Sequence, residues 1–242
     1  LISPAEYGAK YNLSVAAVYD IEDAFYEFTG KKLSPKKADI SVNAEYSEIM
    51  HDLALDLCNK SDMLMAKLGN LSVDNTTLID ILELKKTIFN LSRKSDIEFD
   101  EKNYYSAASY CYSINVKTRE MINRVLAPSL GDKLSLISNL EKNINNFKNN
   151  VSLNKFSTIS ELETSMIIME RVDDSLSFLN KSREAIDNKD LDEANKFVSL
   201  GIERFFSAVS WSRFFKINGK QFVMDEPSLR LSCINKIQEA EE

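Results

Sequence analysis

The sequence is poor in the residues that interrupt helices and in those that build catalytic sites. It has 6 Gly, 4 Pro and a single histidine among 242 residues. That histidine, His51, ends the stretch "EIMH" (48–51). Carboxylate-bridged di-iron bundles use this Glu-x-x-His spacing twice, with two further glutamates, which one histidine cannot supply. The residues just before His51 contain no arginine, as a helical ribonuclease of the Arg-x4–6-His kind requires. His51 is therefore interpreted as a surface or cap-region residue.

Excess positive charge and long apolar runs are absent as well. The formal net charge is −7, so no basic field attracts a phosphate backbone. Charged residues interrupt every apolar run well short of the roughly 20 residues that span a bilayer. Hydrophobic residues make up 44% of the chain and charged residues 28%, which is typical of a soluble globular protein. The composition predicts neither a nucleic-acid partner nor a membrane span.

Cysteine is rare, and its positions form no recognisable framework. Cys58, Cys111 and Cys233 are odd in number, widely spaced and placed on apolar helical faces. This pattern predicts buried structural thiols rather than a disulfide framework or a metal knuckle. The sequence also lacks a glycine-rich phosphate loop and paired motif carboxylates, so no metal or cofactor is expected.

The few glycines and prolines fall between long segments of helical periodicity. Apolar residues recur there at three- and four-residue steps, which places them on one face of a helix. Asp74, Asn103 and Asp190 stand where an N-cap side chain is expected. The pattern predicts a mainly α protein, a helical bundle of antiparallel hairpins with a small N-terminal α/β remnant. The expected helices cover about 39–68, 74–97, 102–126, 132–149, 158–187, 190–216 and 226–240.

A weak internal repeat aligns "EKNYYSAASYCYSI" (101–114) with "NKDLDEANKFVSLG" (188–201). Asn103 then matches Asp190, and Ala107 matches Ala194. A cap, a large apolar residue and a small residue in this order begin the helical hairpins of tetratricopeptide repeats, because alanine lets the partner helix approach closely. The repeat predicts two related hairpin units, about 39–126 and 132–216, followed by a C-terminal helix. A true solenoid is the alternative, although it normally needs three or more repeats.

Aromatic residues are concentrated in "NYYSAASYCY" (103–112) and "ERFFSAVSWSRFF" (203–215). Their spacing covers more than one helical face, so some of them are expected at the surface. The alternatives are core packing and a surface for a protein or polypeptide partner, where Tyr and Trp are common anchors. The possible partner surface comprises Tyr105, Tyr110, Tyr112, Phe206, Trp211 and Phe215.

Seven Asn-x-Ser/Thr triplets occur in the chain, which is a mild excess over chance. They begin at Asn12, Asn59, Asn70, Asn75, Asn90, Asn150 and Asn180. Such triplets are glycosylation acceptors in secreted proteins. A composition rich in Asn, Lys and Ser also explains them, so cytoplasmic and cell-envelope locations both stay open.

The first 30 residues, "LISPAEYGAKYNLSVAAVYDIEDAFYEFTG", differ from the rest. They contain a short apolar entry, a helical turn begun by Pro4, a β-like run over Ser14–Tyr19 and an acidic amphipathic helix over 20–30. Ile21, Ala24, Phe25 and Phe28 are expected to form its buried face. A strand next to a helix is the edge of an α/β domain, and it needs a sheet that this chain does not contain.

This stretch resembles the C-terminal end of a Lon-type serine protease domain. The matching elements are "LISPAEYGAKY", "SVAAVYDIEDA" and "FYEFTG". The whole chain, with "YYSAASY" and "ERFFSAVSW" in its helices, is similar to the helical C-terminal part of archaeal Lon-like proteases without the usual fused ATPase. In that family the serine nucleophile and its lysine base precede the segment that matches Leu1, so no residue here takes a catalytic role.

The resemblance implies that residues 1–35 are the edge of a protease domain and that residues 36–242 form a helical domain. The expected function is assembly of the peptidase, presentation of substrate polypeptide or docking to a partner, with proteolysis carried out upstream. The implied partners are a polypeptide, the upstream protease domain and a second copy of the chain. The alternative is an independent helical interaction module of tetratricopeptide-like type.

Overall fold

The computed structural model describes residues 3–32, 43–73 and 75–221, and of the C-terminal segment only residues 227, 230, 231 and 234. The protein is mainly helical, as predicted, and its long helices form a bundle. The chain divides into two compact units, Leu1–Ser41 and Val42–Glu242. The expected boundary between residues 35 and 36 falls in 33–42, outside the described residues.

The first unit contains two short helices. They are α1 (Pro4–Ala9) and α2 (Ile21–Thr29). A capping box at Ser3 begins α1, and the Asp20 side chain caps α2. The strand expected over Ser14–Tyr19 is absent: residues 13–18 have no regular secondary structure. A strand needs backbone partners in a sheet, and no strand in the described residues offers them to this segment.

The apolar face expected to be buried on α2 is largely exposed. Ile21 is 76% exposed and Phe28 is 90% exposed, while Ala24 and Phe25 are half-buried. No residue of this helix is fully buried. The capped ends therefore explain why the helix forms, and burial of its apolar face does not.

The second unit is a bundle of six long helices followed by a short 3₁₀ helix within the described residues. These are α3 (Ala44–Gly69), α4 (Asn75–Asp100), α5 (Tyr104–Leu126), α6 (Leu130–Ser152), α7 (Ile159–Asp187), α8 (Leu191–Trp211) and the 3₁₀ helix Ser212–Lys216. The ends lie within a few residues of those expected, except that α3 is described from Ala44 on and that the last expected turn of α8 is 3₁₀. Most of the expected helix 226–240 lies outside the described residues.

Two helical hairpins, α4–α5 and α7–α8, have matching turns. Lys102 and Lys189 both have a left-handed backbone, with φ values of 63° and 61°. The next amide reaches back in each: Asn103 N donates to the Glu98 carbonyl at 2.7 Å, and Asp190 N donates to the Ala185 carbonyl at 2.9 Å. These bonds satisfy the free carbonyls at a helix end. The internal repeat in the sequence thus corresponds to a repeated turn.

The cap residues of the two hairpins behave differently. The Asp190 side chain accepts a hydrogen bond from Glu193 N at 2.9 Å, as predicted. Asn103 occupies the cap position without a side-chain cap bond, and its amide points instead toward Glu101. Asp74 lies outside the described residues.

Small residues let the two helices of each hairpin approach closely, as expected from the alanines of the repeat. Ser95 donates to the Ala107 carbonyl at 3.2 Å, and Ser182 donates to the Ala194 carbonyl at 2.9 Å. Both serines and both alanines are buried. The main core gathers apolar residues from α3, α5, α6, α7 and α8, and a smaller cluster lies at the other end of α3.

Cys58 and Cys111 form a disulfide, which corrects the expectation of free buried thiols. The bond joins α3 to α5 across a sequence separation of 53 residues, with the two Cα atoms 5.0 Å apart. That distance lies within the range that a disulfide bridges. Sequence spacing alone could not reveal it, because the crossing of α3 and α5 creates the proximity. Cys233 lies outside the described residues.

Candidate functional site

A pocket of about 210 Å³ lies where α3, α5, α7 and α8 meet. We call it the arginine pocket, because two arginines line it. Helix α3 supplies an apolar wall, α5 supplies tyrosines and serines, and α7 and α8 supply the arginines and a tryptophan. The lining residues are Met50, Leu53, Leu57, Tyr105, Ala108, Ser109, Tyr112, Ser113, Arg171, Arg204, Ser207 and Trp211.

Three of the six predicted aromatic residues line this pocket. Tyr105 and Tyr112 lie two helical turns apart on α5, which places them on one face. Trp211 closes the opposite side from the end of α8, with its ring centroid 6.4 Å from that of Tyr105. Trp211 is only 9% exposed, whereas Tyr105 is 56% exposed. The pocket therefore has a buried aromatic side and an aromatic rim open to solvent.

Arg171 of α7 is the central charged group. Its guanidinium carbon lies 4.6 Å from the centroid of the Trp211 ring. Its Nε donates to Ser207 Oγ at 3.2 Å, and its Nη1 donates to the Ile167 carbonyl at 3.4 Å. Burial, together with the nearby guanidinium of Arg204, lowers the pKa of Arg171 from its ordinary value. The side chain is thus held in place on the tryptophan by neutral groups.

Arg204 of α8 is paired, in contrast to Arg171. Its Nε donates to the Asp174 carboxylate at 2.9 Å. A second carboxylate, that of Glu170, lies 3.7 Å from its Nη2. The charge of Arg204 is therefore compensated inside the protein.

Tyr112 presents a protonated hydroxyl to the pocket. Burial is the largest cause that raises the pKa of Tyr112 above its ordinary value. At neutral pH its O–H can donate a hydrogen bond. Neither Tyr112 nor Tyr105 makes a side-chain hydrogen bond to another described residue.

The other three predicted aromatic residues do not line the pocket. Phe206 is half-buried and lies under the Lys60 ammonium, which is 3.5 Å from the ring centroid. Tyr110 faces Lys94 of α4. Phe215 stacks on Phe156, with the centroids 5.8 Å apart. The structure thus separates the predicted surface into a pocket group and a packing group.

A fully buried carboxylate, that of Glu203 on α8, lies between α3 and α5. Lys60 of α3 approaches it at 2.7 Å, and Arg119 of α5 donates to its other oxygen. A buried charge is tolerated when it is paired in this way. Burial is the first cause that lowers the pKa of Lys60. This triad connects three of the four helices that form the pocket.

Sequence reasoning missed the arginines of the pocket. A signal for Arg171 was present, because it shares the helical face of Ile168 and Ser175, both fully buried. A cation on the buried face of an amphipathic helix is unusual and indicates a partner or a site. Only the placement of α7 relative to α5 and α8 in the structure shows which aromatic residues Arg171 contacts.

Two further candidate groups lie outside the arginine pocket. The Nδ1 atom of His51 lies 3.2 Å from Oδ1 of Asp52, and its ring packs against the rings of Phe99 and Tyr104. A larger, open depression of about 630 Å³ runs along α3 beside Arg213. Within the residues that the structure describes, no group of three or more His, Cys, Asp or Glu is arranged to hold a metal ion.

None of the helices in the described ranges is both long and apolar enough to cross a membrane. Comparisons of the chain with protein-family models, with curated proteins and with solved structures find no significant match.

Proposed function

We propose that this chain is a non-catalytic helical region that binds polypeptide, and that it serves a Lon-like serine peptidase as its C-terminal part. The observation that carries the binding role is the convergence of Tyr105, Tyr112 and Trp211 on one pocket. Aromatic side chains with a polar tip are frequent anchors of protein interfaces. In such a peptidase the region would hold substrate polypeptide or a partner for the protease domain.

The first unit supports the link to a protease domain. Its residues Tyr19 and Phe28 are 92% and 90% exposed. Large apolar side chains that are so fully exposed on one short segment are typical of a surface that packs against another domain. We propose that these side chains contact the sheet and helices of a protease domain of the kind that the sequence resembles.

The disulfide favours an oxidising compartment for this region. Disulfides such as Cys58–Cys111 persist mainly in extracytoplasmic proteins, and also inside the cells of hyperthermophilic archaea and bacteria. Six asparagines of the Asn-x-Ser/Thr triplets are exposed: Asn12, Asn59, Asn70, Asn90, Asn150 and Asn180. We therefore propose that the region works where its thiols are oxidised.

Binding without cleavage is the test. The purified chain is mixed with fluorescein-labelled casein, and binding is followed by polarisation while peptide release is followed on a gel. Binding with no cleavage is expected, and Tyr105→Ala should weaken it about tenfold because an aromatic anchor is lost. Tyr110→Ala is the matched control, since this tyrosine of α5 lies outside the pocket.

Two results would contradict the proposal. Cleavage of casein by the pure chain would end the assignment as a non-catalytic region. Equal loss of binding in Tyr105→Ala and Tyr110→Ala, with both variants folded, would remove the pocket from the binding role.

An independent tetratricopeptide-like module is the second candidate, and the matching turns at Lys102 and Lys189 favour it. It predicts that residues 36–242 fold and bind casein as tightly as the full chain does. The peptidase hypothesis predicts that deletion of 1–35 leaves binding intact but abolishes association with a protease domain supplied separately. Failure of 36–242 to fold would count against the module.

A further inference from the structure

We propose that the arginine pocket recognises a carboxylate of the bound polypeptide, with Arg171 as the group that contacts it. This inference rests on the polypeptide-binding role proposed above and names the chemistry that the pocket selects. The carboxylate can come from the chain end of a polypeptide or from an acidic side chain. Both sources present the same planar monoanion, and the experiment below distinguishes them.

The charge balance of the half-buried arginines carries the proposal. Among those that the structure describes, Arg171 is the one without a carboxylate within 4 Å. A cation removed from water is normally paired, because burial without a partner is costly. Arg171 therefore lacks the carboxylate partner that each of the other half-buried arginines has. The paired arginines are Arg119 with Glu203, Arg183 with Glu141, Arg204 with Asp174 and Arg213 with Asp56.

The unused donors of the pocket match a carboxylate. A guanidinium carries five N–H donors, and Arg171 uses two of them, toward Ser207 and Ile167. Stacking on Trp211 fixes the plane of the fork, so the remaining N–H groups keep one orientation. The hydroxyls of Tyr105 and Tyr112, which bond to no other described side chain, can donate to the same anion. Arginine binds a carboxylate through such parallel bonds.

Size and charge exclude larger or more highly charged ligands. The pocket of about 210 Å³ is smaller than the 300–1,000 Å³ usual for cofactors and drug-sized ligands, so it admits about one amino-acid residue. Asp174 compensates Arg204, which leaves Arg171 as the single unpaired cation in the lining. A phosphate dianion would need a second free cation. The apolar wall of Met50, Leu53 and Leu57 suits the hydrocarbon part of the bound residue.

Pairs of small probes that differ only in the carboxylate test the proposal on the full chain. N-acetyl-leucine and N-acetyl-leucinamide represent a chain end. N-acetyl-glutamate amide and N-acetyl-glutamine amide represent an acidic side chain. Trp211 is the single tryptophan of the sequence and lines the pocket, so its fluorescence reports occupancy. Ligand-observed NMR provides affinities that do not depend on that signal.

In at least one pair the acid is expected to bind about tenfold or more tightly than its amide, because a charge-assisted contact is lost in the amide. Preference in the leucine pair alone identifies a chain end as the ligand, and preference in the glutamate pair alone identifies a side chain. Arg171→Gln should remove the preference. Arg183→Gln is the matched control on the same helix, since Arg183 is paired with Glu141 and lies outside the pocket.

Equal affinities for acid and amide in both pairs would overturn carboxylate recognition, as would a preference that survives Arg171→Gln. The comparison of probes on the unmodified chain does not depend on the folding of any variant. Casein binding that persists while both pairs show no preference would leave the polypeptide-binding role standing and refute only this inference. If the unmodified chain did not bind casein at all, the proposed function itself would be refuted.

Discussion

The hairpins α4–α5 and α7–α8 have the same turn but different surroundings. Helix α7 packs against α6, α8 and the 3₁₀ helix, whereas α4 packs chiefly against α5. Ile168 and Leu179 of α7 are fully buried, while Ile79 and Phe89 of α4 are 59% and 70% exposed. The shared turn is therefore a local property of the sequence. The depth at which each hairpin is buried is set by the helices around it.

The two hairpins also use different means to hold their second helix. Cys111 of α5 is bonded to α3, and the residue in the matching position of α8 is Val198, which packs in the core. Gly201 of α8 allows close contact with Leu179 of α7. The α4–α5 hairpin is held to α3 by a covalent link, and the two helices of the α7–α8 hairpin are held together by close packing. Three predictions test this contrast.

The largest effect is expected from loss of the disulfide. The double variant replaces Cys58 by Ala and Cys111 by Val. Position 111 of α5 then carries the residue found at the matching position of α8, which is Val198. For a loop of 53 residues, the chain-entropy model gives a loss of about 4 kcal/mol in the free energy of unfolding. Guanidinium unfolding of the oxidised chain and of the double variant measures the difference.

The control for this prediction is reduction of the bond. The reduced wild-type chain should unfold like the double variant, which itself should not respond to reductant. A non-reduced digest that lacks the linked Cys58 and Cys111 peptides would contradict the bond itself.

The next effect is expected at the close crossing of α7 and α8. A Cβ atom on Gly201 would lie 2.9 Å from Leu179 Cδ2 and 3.3 Å from the Ser175 carbonyl oxygen. Gly201→Val should destabilise the protein by about 2–3 kcal/mol, because the fully buried Leu179 has little room to move. Gly69→Val is the control, since a Cβ there would meet no described atom within 4 Å apart from its own chain neighbours and the backbone of its own helix. Urea unfolding is the measurement, and equal stabilities of the two variants would show that α7 and α8 can move apart at low cost.

The smallest effect concerns the serines that cross each hairpin. Ser182→Ala and Ser95→Ala each remove one buried hydrogen bond to a carbonyl, at a cost of about 1 kcal/mol. Similar losses in thermal unfolding would show that the hairpins are equivalent at this level. A loss confined to Ser182→Ala would show that the disulfide next to Ser95 makes its hydrogen bond redundant.

Local chemistry explains which parts of the fold the sequence could predict. Helix α3 ends at Gly69, α5 ends just before Pro128, and α8 begins just after the cap at Asp190. These boundaries were predictable because each of these residues acts within one turn of the chain. The internal repeat that pairs Asn103 with Asp190 was visible for the same reason, whereas the turn geometry that it shares was not predicted. The absent strand at Ser14–Tyr19 shows the limit of this reasoning, since a strand requires partners that the described residues do not supply.

The parts that escaped prediction depend on contacts between distant helices. Cys58 and Cys111 are adjacent because α3 crosses α5, and no spacing rule encodes that crossing. The aromatic clusters included both Tyr105 and Trp211, but the sequence could not show that these two line one pocket while Phe215 lies outside it. Arg171 came from a third helix that carries no aromatic cluster.

The Cys58–Cys111 bond also closes the chain into a ring that contains the whole of α4. A protease that cuts the exposed side of α4 would therefore open the ring without releasing a fragment. The cut protein would run as a single species on a non-reducing gel and as two pieces after reduction. The helices that line the arginine pocket would then stay joined after a single cleavage in α4.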